Sequence, residues 1–304
     1  MIDAVVAGSG LAIPADCREA HWPLENITLA GLTWPNHREA RPPVVMVHGW
    51  LDNAMTFTKL APELSEFTNV HAIDLAGHGH SGHRPPGFGY WLTDYVADLC
   101  ELIDLHFSEA DQQPLDLVGH SLGGIICGLY AAAFPERVGR LVMIDSLGAL
   151  SRNAEDTVPQ LRRALQKKMN GSAPPTVYPD MATAARIREG GLSPLSPEAA
   201  KTLVPRNMRS QGGGFIWRTD ARLRHPTALM MTEEQVHASL AAIRTPTLFV
   251  RARKGLLAKR GVLDKRAELI SGLTIADVPG GHHCHLDGDT VPVVSAIKRF
   301  LFDV

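Results

Sequence analysis

The stretch Gly119-His120-Ser121-Leu122-Gly123-Gly124 stands between two apolar segments of different length. The five residues before it have the length of a buried strand, and the ten after it, rich in alanine, have that of a buried helix. This pattern predicts a strand, a very tight turn and a helix, with Ser121 in a strained backbone conformation. Gly119 and Gly123 leave room where side chains would make the strand and the helix collide.

The same alternation of strand and helix patterns continues on both sides of this turn. Continuous apolar runs such as Val44–Val47 are typical of strands that are buried on both faces of a parallel sheet. The alternation predicts an α/β fold with a mostly parallel central sheet and helices on both faces. The predicted strands are 27–34 (an antiparallel edge strand), 43–47, 69–74, 114–118, 138–145, 246–250 and 273–278, and the predicted helices include 54–64, 92–107, 263–270 and 292–302.

The alternation stops over residues 146–231, which are rich in Arg, Ala and Pro. Helix-like pieces replace it, and Gly212–Gly214 is interpreted as a hinge. We therefore predict a core of residues 1–145 and 232–304, with 146–231 inserted as a helical cap over the carboxyl ends of the strands, where such sheets place their sites. The predicted helical pieces of the insertion are 158–169, 181–189 and 197–203.

The composition is that of an ordinary soluble globular protein. The 304 residues are 45% hydrophobic and 20% charged, with a net charge of −2, so no global field favours nucleic acid or an anionic membrane. No apolar run has the length of a membrane span, and the first residues lack the basic lead of a signal peptide. The four cysteines have no CxxC spacing, which favours reduced thiols in the cytoplasm. The sequence carries no signal for an oligomeric state.

A serine hydroxyl is a poor nucleophile at neutral pH, so it needs a base, and the base needs an orienting acceptor. In a fold with this turn the histidine follows the last strand. His282 comes directly after a glycine turn there, and we expect it to be the base. His283 and His285 are interpreted as surface or packing residues. No carboxylate or cysteine ligand pattern accompanies the three histidines, so we expect no metal.

Backbone N–H groups are expected to bind the oxyanion that forms when Ser121 attacks a carbonyl. One belongs to Leu122, the residue after the serine, and the other to Trp50, in the loop after the 43–47 strand. His48, Trp50 and His120 are candidates for lining the substrate pocket. For His48 we prefer the alternative that it braces its loop through hydrogen bonds.

Five motifs extend over most of the chain: His48-Gly49-Trp50-Leu51-Asp52-Asn53-Ala54, Asp74 to Ser81, Gly119 to Gly124, Val278 to His282, and Trp217 to Leu223. With them the sequence resembles an α/β-hydrolase-fold serine hydrolase and, within that fold, the serine hydrolase-like group. The resemblance implies an α/β-hydrolase fold with an inserted cap and a Ser-His-acid triad. It implies no metal and no organic cofactor.

The acid of the triad departs from the commonest pattern of this family, which places Asp or Glu a few residues beyond the 246–250 strand. Residues 251–263 contain no carboxylate. The other known placement is the end of the strand that follows the helix after the serine, where Asp145 stands. We therefore prefer Asp145 as the acid. Asp264, Asp277 and a dyad supported by water remain open.

The predicted reaction is acyl transfer to water through an acyl-enzyme on Ser121. A small-to-medium carboxylic ester is the first choice of substrate, and thioester, lactone and carbon–carbon bond hydrolysis stay open because they use the same groups. An Asp in place of Ser121 would have indicated epoxide or haloalkane hydrolysis. A receptor or ligand-binding protein on a hydrolase fold is the rival interpretation, and the displaced acid is its main support.

Three further groups of charged or histidine side chains invite functional interpretations. The basic run Arg251–Arg266 could attract an anionic substrate, but a solvated helix face and loop is the preferred interpretation. The histidines at 78, 80 and 83 could bind a metal, but the family loop explains their setting. The charged residues at 218, 220 and 222 are expected to form an ion-pair network where the insertion rejoins the core.

Overall fold

The protein is described by a computed structural model that covers residues 5–7, 11–36, 41–107, 113–258 and 263–304. None of the helices in these ranges combines the length and the apolar character that crossing a membrane requires. The strands are β1 (Val5–Ala7), β2 (Leu11–Ile13), β3 (Arg18–Pro23), β4 (Thr28–Trp34), β5 (Val44–Val47), β6 (Val70–Ile73), β7 (Leu115–His120), β8 (Val138–Ile144), β9 (Met208–Gln211), β10 (Gly214–Trp217), β11 (Thr247–Lys254) and β12 (Thr274–Gly281). The α-helices are α1 (Ala61–Ser65), α2 (Leu92–His106), α3 (Leu122–Ala133), α4 (Thr157–Asn170), α5 (Met181–Glu189), α6 (Pro197–Leu203), α7 (Glu233–Ala241), α8 (Leu263–Ala267) and α9 (Val291–Phe302).

Eight strands form one twisted sheet in the order β12-β11-β8-β7-β5-β6-β4-β3. The six strands from β12 to β6 run parallel; β4 pairs antiparallel with β6, and β3 pairs antiparallel with β4. Alternate residues of β5 belong to two separate hydrophobic clusters, Val44 and Met46 to one, Val45 and Val47 to the other. Helices α1 and α9 cover the first cluster, and α2, α3 and α7 cover the second. The predicted α/β fold with a mostly parallel, doubly covered sheet is confirmed.

Three local predictions are wrong, each for a physical reason. The strand at 28–34 is not the edge of the sheet, because β3, whose mostly exposed residues carry no apolar pattern, pairs outside it. The single helix predicted for 54–64 is a 3₁₀ turn followed by α1, since Pro62 has no N–H to continue a helix. The predicted hinge is the tight turn between β9 and β10, where Gly212 and Gly213 have φ of 60° and 78°.

Residues 146–231 contact the loops that follow β5 and β6. The carbonyl of Leu203 accepts a hydrogen bond from Asn53 Nδ2 at 2.9 Å, and the carbonyl of Leu223 accepts one from Trp50 Nε1 at 3.1 Å. Both acceptors of the insertion therefore lie at the carboxyl edge of the sheet. The three helical pieces predicted for the insertion correspond to α4, α5 and α6.

Candidate active site

Ser121 occupies the tight turn between β7 and α3. Its backbone has φ 51° and ψ −116°, a conformation that costs a side-chain-bearing residue about 1–3 kcal/mol. The turn leaves no room for larger residues, because a Cβ on Gly123 would lie 1.9 Å from the carbonyl oxygen of Val47. The N–H of Ser121 donates to the carbonyl of Ile144 at 3.1 Å, which places the serine beside the end of β8.

Asp145 directly follows β8, and His282 directly follows β12. His282 Nδ1 donates to Asp145 Oδ2 at 2.6 Å, and the carboxylate is 2% exposed. The same oxygen accepts the N–H of Leu256 at 2.9 Å. On the other side, His120 Nε2 donates to the carbonyl of His282 at 2.9 Å. The hydrogen bond to Asp145 fixes the tautomer of His282, with the proton on Nδ1 and Nε2 left as the basic atom.

The loop after β11 explains how an acid on β8 reaches the histidine. In the sheet β11 lies between β8 and β12, so the contact between Asp145 and His282 must cross the end of β11. Gly255 stands at this crossing, and a Cβ there would lie 2.2 Å from Asp145 Oδ1. The other two candidate acids are elsewhere: Asp264 and Asp277 both form ion pairs with Arg251, at 3.6 and 2.6 Å.

The loop after β5 packs directly on the serine turn. A Cβ on Gly49 would lie 3.2 Å from Ser121 Cβ. Leu51 in this loop has φ 64°, and its N–H donates to His78 Nε2 at 3.2 Å. Among the residues that the structure describes, no hydrogen bond uses the N–H of Trp50 or of Leu122. Both donors are therefore available for a substrate oxygen, as an oxyanion site requires.

His48 and His120, two of the three residues predicted to line the pocket, are fully buried. His48 donates from Nδ1 to the carbonyl of Gly49 at 2.7 Å and accepts the N–H of Leu75 at Nε2 at 2.9 Å. Burial lowers the pKa of His48 and of His120, so both rings are neutral braces between loops. Trp50 is exposed and keeps a side chain that a substrate can touch.

A buried polar cluster lies beneath the loop after β5. Asp52 accepts a hydrogen bond from His283 Nε2 at 2.8 Å and one from Arg188 Nη2 of the insertion at 3.2 Å. Burial alone raises the pKa of Asp52, but His283 and Arg188 outweigh it and hold this pKa well below its usual range. Nδ1 of His120 lies 3.7 Å from Asp52 Oδ2, so Asp52, His120 and His283 form a potential metal-ligand set among the described residues. Arg188 already forms an ion pair with this carboxylate, and His283 is hydrogen-bonded to it.

The sequence profile of the alpha/beta hydrolase fold family matches residues 42–289. The chain belongs to the α/β-hydrolase fold family. A serine hydrolase-like protein of Danio rerio is 30% identical over 285 residues, which cover 90% of this chain and 85% of that protein.

Two solved structures extend the likeness of this α/β hydrolase over nearly its whole length. A hypothetical protein of Pseudomonas aeruginosa PAO1 is 34% identical, with a TM-score of 0.84 and coverage of 93% of this chain and 97% of that one. A thioesterase domain from the curacin biosynthetic pathway is 26% identical, with a TM-score of 0.78 and coverage of 92% and 98%. The fold and the membership in a hydrolase family predicted from the motifs are confirmed.

Several other charged residues singled out in the sequence contact groups of the fold. Arg222 pairs with Asp220 at 2.6 Å, as predicted, whereas Arg218 donates to the carbonyl of Met208 instead. In the basic run, Arg251 and Arg266 are held by carboxylates, while Lys259 and Arg260 lie outside the described residues. The histidines at 78, 80 and 83 each contact a different partner: the N–H of Leu51, Glu19 and Asp220.

Two important residues have no signal in the local sequence. Arg206, in a 3₁₀ turn of the insertion, is fully buried and binds Asp74 at 2.8 Å and Glu19 at 2.8 Å. Gly255 is one glycine among 27, and only its position beside Asp145 gives it a role. A buried Asp74 after an apolar strand indicates that a cation must be near, but not which one.

Proposed function

We propose that this α/β hydrolase cleaves small-to-medium carboxylic esters of small molecules through an acyl-enzyme on Ser121. The observation that carries the proposal is the 2.6 Å hydrogen bond between His282 and Asp145, beside a serine in a strained turn. An oriented histidine beside a serine is the arrangement that makes a hydroxyl nucleophilic. In this proposal the substrate oxygen binds to the N–H groups of Trp50 and Leu122.

The proposed reaction has two halves. In the first, Ser121 Oγ attacks the carbonyl carbon, His282 Nε2 takes the hydroxyl proton, and the alkoxide intermediate is held by the two backbone N–H groups. The intermediate expels the alcohol, which receives the proton from His282. In the second half His282 takes a proton from water, the hydroxide attacks the acyl-enzyme, and the carboxylic acid leaves as Ser121 regains its proton. Asp145 stabilises the imidazolium in both halves.

Thioester hydrolysis is the second candidate, because the curacin-pathway thioesterase domain is 26% identical over nearly the whole chain. The same groups would act, and the leaving thiol would need less help from His282 because thiols are more acidic than alcohols. Lactone and carbon–carbon bond hydrolysis use the same groups as well. The hydrogen bond between Asp145 and His282 weighs against the receptor interpretation, whose main support is the displaced acid.

A fluorophosphonate probe tests whether Ser121 is activated. Rapid labelling of the wild type should vanish in Ser121→Ala and fall by about 10³-fold or more in His282→Ala. Ser239→Ala and His237→Ala, both on α7, are the matched controls and should label like the wild type. A folded wild type that does not label, or labelling that survives in Ser121→Ala, would contradict the proposal.

A series of nitrophenyl esters with acyl chains of two to twelve carbons, beside the matching thioesters, tests the substrate class. The proposal expects kcat/KM to peak at a short or medium acyl chain and to be higher for the ester than for the thioester of the same acyl group. A preference for the thioester would assign the second candidate. Absence of turnover with tight binding of the substrates would favour the receptor.

A further inference from the structure

Charge is distributed unevenly between the insertion and the rest of the molecule. Residues 146–231 contain 13 Lys and Arg against six Asp and Glu, whereas the remaining residues contain 17 against 26. The net charge of −2 for the whole chain conceals this separation. A separation of this kind orients a protein in the field of an anionic surface, with the insertion toward it.

Exposed apolar side chains are concentrated in the same segment. Among the residues whose burial is described, 15 large apolar residues are exposed, and eight of them belong to residues 146–231, which make up little more than a quarter of the chain. Three of them lie on α4: Val158, Leu165 and Met169 are 72%, 48% and 78% exposed. Their spacing of seven and four residues places them on one face of the helix, and we call them the apolar stripe.

The opposite face of α4 holds the helix on the protein. Gln160 and Ala164 are buried, and Gln160 Nε2 donates to the carbonyl of Thr227. The exposed apolar stripe lies on the other side of the helix from these anchors. The stripe is therefore a surface feature that substitutions can change without unfolding the helix.

Cations border the apolar stripe. Arg162 follows Val158 by four residues and Lys168 follows Leu165 by three, so both lie beside the stripe on the helix surface. Both are exposed, and no described carboxylate forms an ion pair with either of them. By contrast, the buried cations Arg206 and Arg266 are each held by a carboxylate. Apolar side chains bordered by free cations match a surface that is both apolar and anionic.

We propose that α4 docks this hydrolase on the surface of an anionic phospholipid bilayer, with the apolar stripe between the acyl chains and Arg162 and Lys168 at the phosphates. A second copy is a poorer occupant, since it would bring two positively charged insertions together. A nucleic acid offers phosphates but nothing for three exposed apolar side chains. The proposal does not depend on which ester the enzyme cleaves.

Vesicle sedimentation tests the docking. The wild type should bind vesicles of phosphatidylcholine with phosphatidylglycerol and not vesicles of phosphatidylcholine alone, and binding should weaken as salt rises. Leu165→Glu with Met169→Glu should abolish binding, and Arg162→Gln with Lys168→Gln should weaken it on the order of 20-fold, about fivefold for each cation. Hydrolysis of a water-soluble ester should be unchanged in both double variants, which shows that they are folded.

Matched controls change the same chemistry on the core. Leu105 of α2 and Val291 of α9 are 60% and 67% exposed, and Leu105→Glu with Val291→Glu should bind like the wild type. Arg18→Gln with Arg244→Gln is the control for charge. Equal binding to neutral vesicles, equal losses in the controls, or no vesicle binding would overturn the proposal. So would a concentration-dependent dimer that Leu165→Glu dissociates, because the apolar stripe would then be covered by a second copy.

Discussion

Asp74 and Asp145 occupy equivalent places in the sheet and have different surroundings. Each directly follows a parallel strand, β6 or β8, and each is almost fully buried. The carboxylate of Asp74 accepts the N–H groups of Ala54 and His80, both at 2.8 Å, and the guanidinium of Arg206. Asp145 accepts from Leu256 and His282, and its Oδ1 has no partner among the described residues.

The cationic partner decides what each carboxylate can do. Arginine stays protonated at any pH at which the protein is folded, so the pair of Asp74 and Arg206 holds a constant charge and ties the insertion to the core. In the proposed reaction His282 takes up and releases a proton, so the charge of the pair of Asp145 and His282 changes during turnover. The difference teaches that position at the carboxyl edge of a sheet does not by itself make a buried carboxylate functional.

The largest expected effect is on turnover in Asp145→Asn. The neutral amide cannot stabilise the imidazolium of His282 and favours the wrong tautomer, so kcat should fall by about 10³–10⁴-fold. The melting temperature should change little, because the shape of the side chain is kept. Steady-state kinetics and calorimetry on the same sample measure both. A loss below tenfold would assign the role of the acid to another group.

Asp74→Asn should show the opposite pattern. Removal of the charge on residue 74 leaves the fully buried Arg206 with Glu19 as its remaining carboxylate partner. Breaking a buried ion pair in this way costs about 3–5 kcal/mol of unfolding free energy. Urea unfolding measures the loss, and Asp104→Asn, at an exposed ion pair with Arg137, is the control. The folded fraction of Asp74→Asn should keep kcat within about tenfold of the wild type. A strong loss of kcat in Asp74→Asn at unchanged stability would contradict the structural role of Asp74 and the contrast with Asp145.

The third prediction concerns the pH dependence of stability through Glu19, the other partner of Arg206. Burial alone raises the pKa of Glu19, but hydrogen bonds from His80 and Arg206 outweigh it and lower the pKa from 4.5 to about 2. A carboxyl whose pKa is lowered in the folded state stabilises the folded protein at pH values above the unfolded pKa. This stabilisation is lost as the pH falls through the folded pKa.

The wild type should therefore exceed Glu19→Gln in unfolding free energy by about 3 kcal/mol at pH 7, and the difference should shrink between about pH 4.5 and pH 2. Urea titrations at several pH values measure it. Glu63→Gln, at an exposed ion pair with Lys298, should show little of this dependence. A difference that grows toward low pH would contradict the prediction.

The smallest expected effect is that of Gly255→Ala. The new Cβ would lie 2.2 Å from Asp145 Oδ1, so the carboxylate or the loop after β11 must shift. A shift of this kind loosens the bond to His282 and should lower kcat by about 10–100-fold, with KM unchanged. Gly190→Ala is a control in the insertion, where an added Cβ meets only one atom at 3.7 Å. Unchanged kcat in Gly255→Ala would show that the Asp145 carboxylate does not need the space left by the missing side chain of Gly255.

Patterns that depend on neighbours in the chain could be predicted from the sequence. The turn at Ser121 is fixed by glycines within four residues of it, and His282 by a glycine turn after the last strand. The preference for Asp145 depends on the family resemblance, which implies two placements for the acid, and on the absence of a carboxylate from residues 251–263. The edge strand β3 and the break in the helix at Pro62 were missed, since weak periodicity hides the first and a single residue decides the second.

The sequence by itself determined the order of strands and helices, the strained turn and the identity of the residues that can carry a proton. These are local properties, because they depend on backbone sterics and on side-chain chemistry. Only the tertiary structure decided which groups meet. Because the strand order is β8-β11-β12, Asp145 and His282 meet across the end of β11, where Gly255 leaves room for the carboxylate. The packing of the insertion on the core brings Arg206 to Asp74. Contacts between residues more than 100 positions apart arise from packing, which no local pattern encodes.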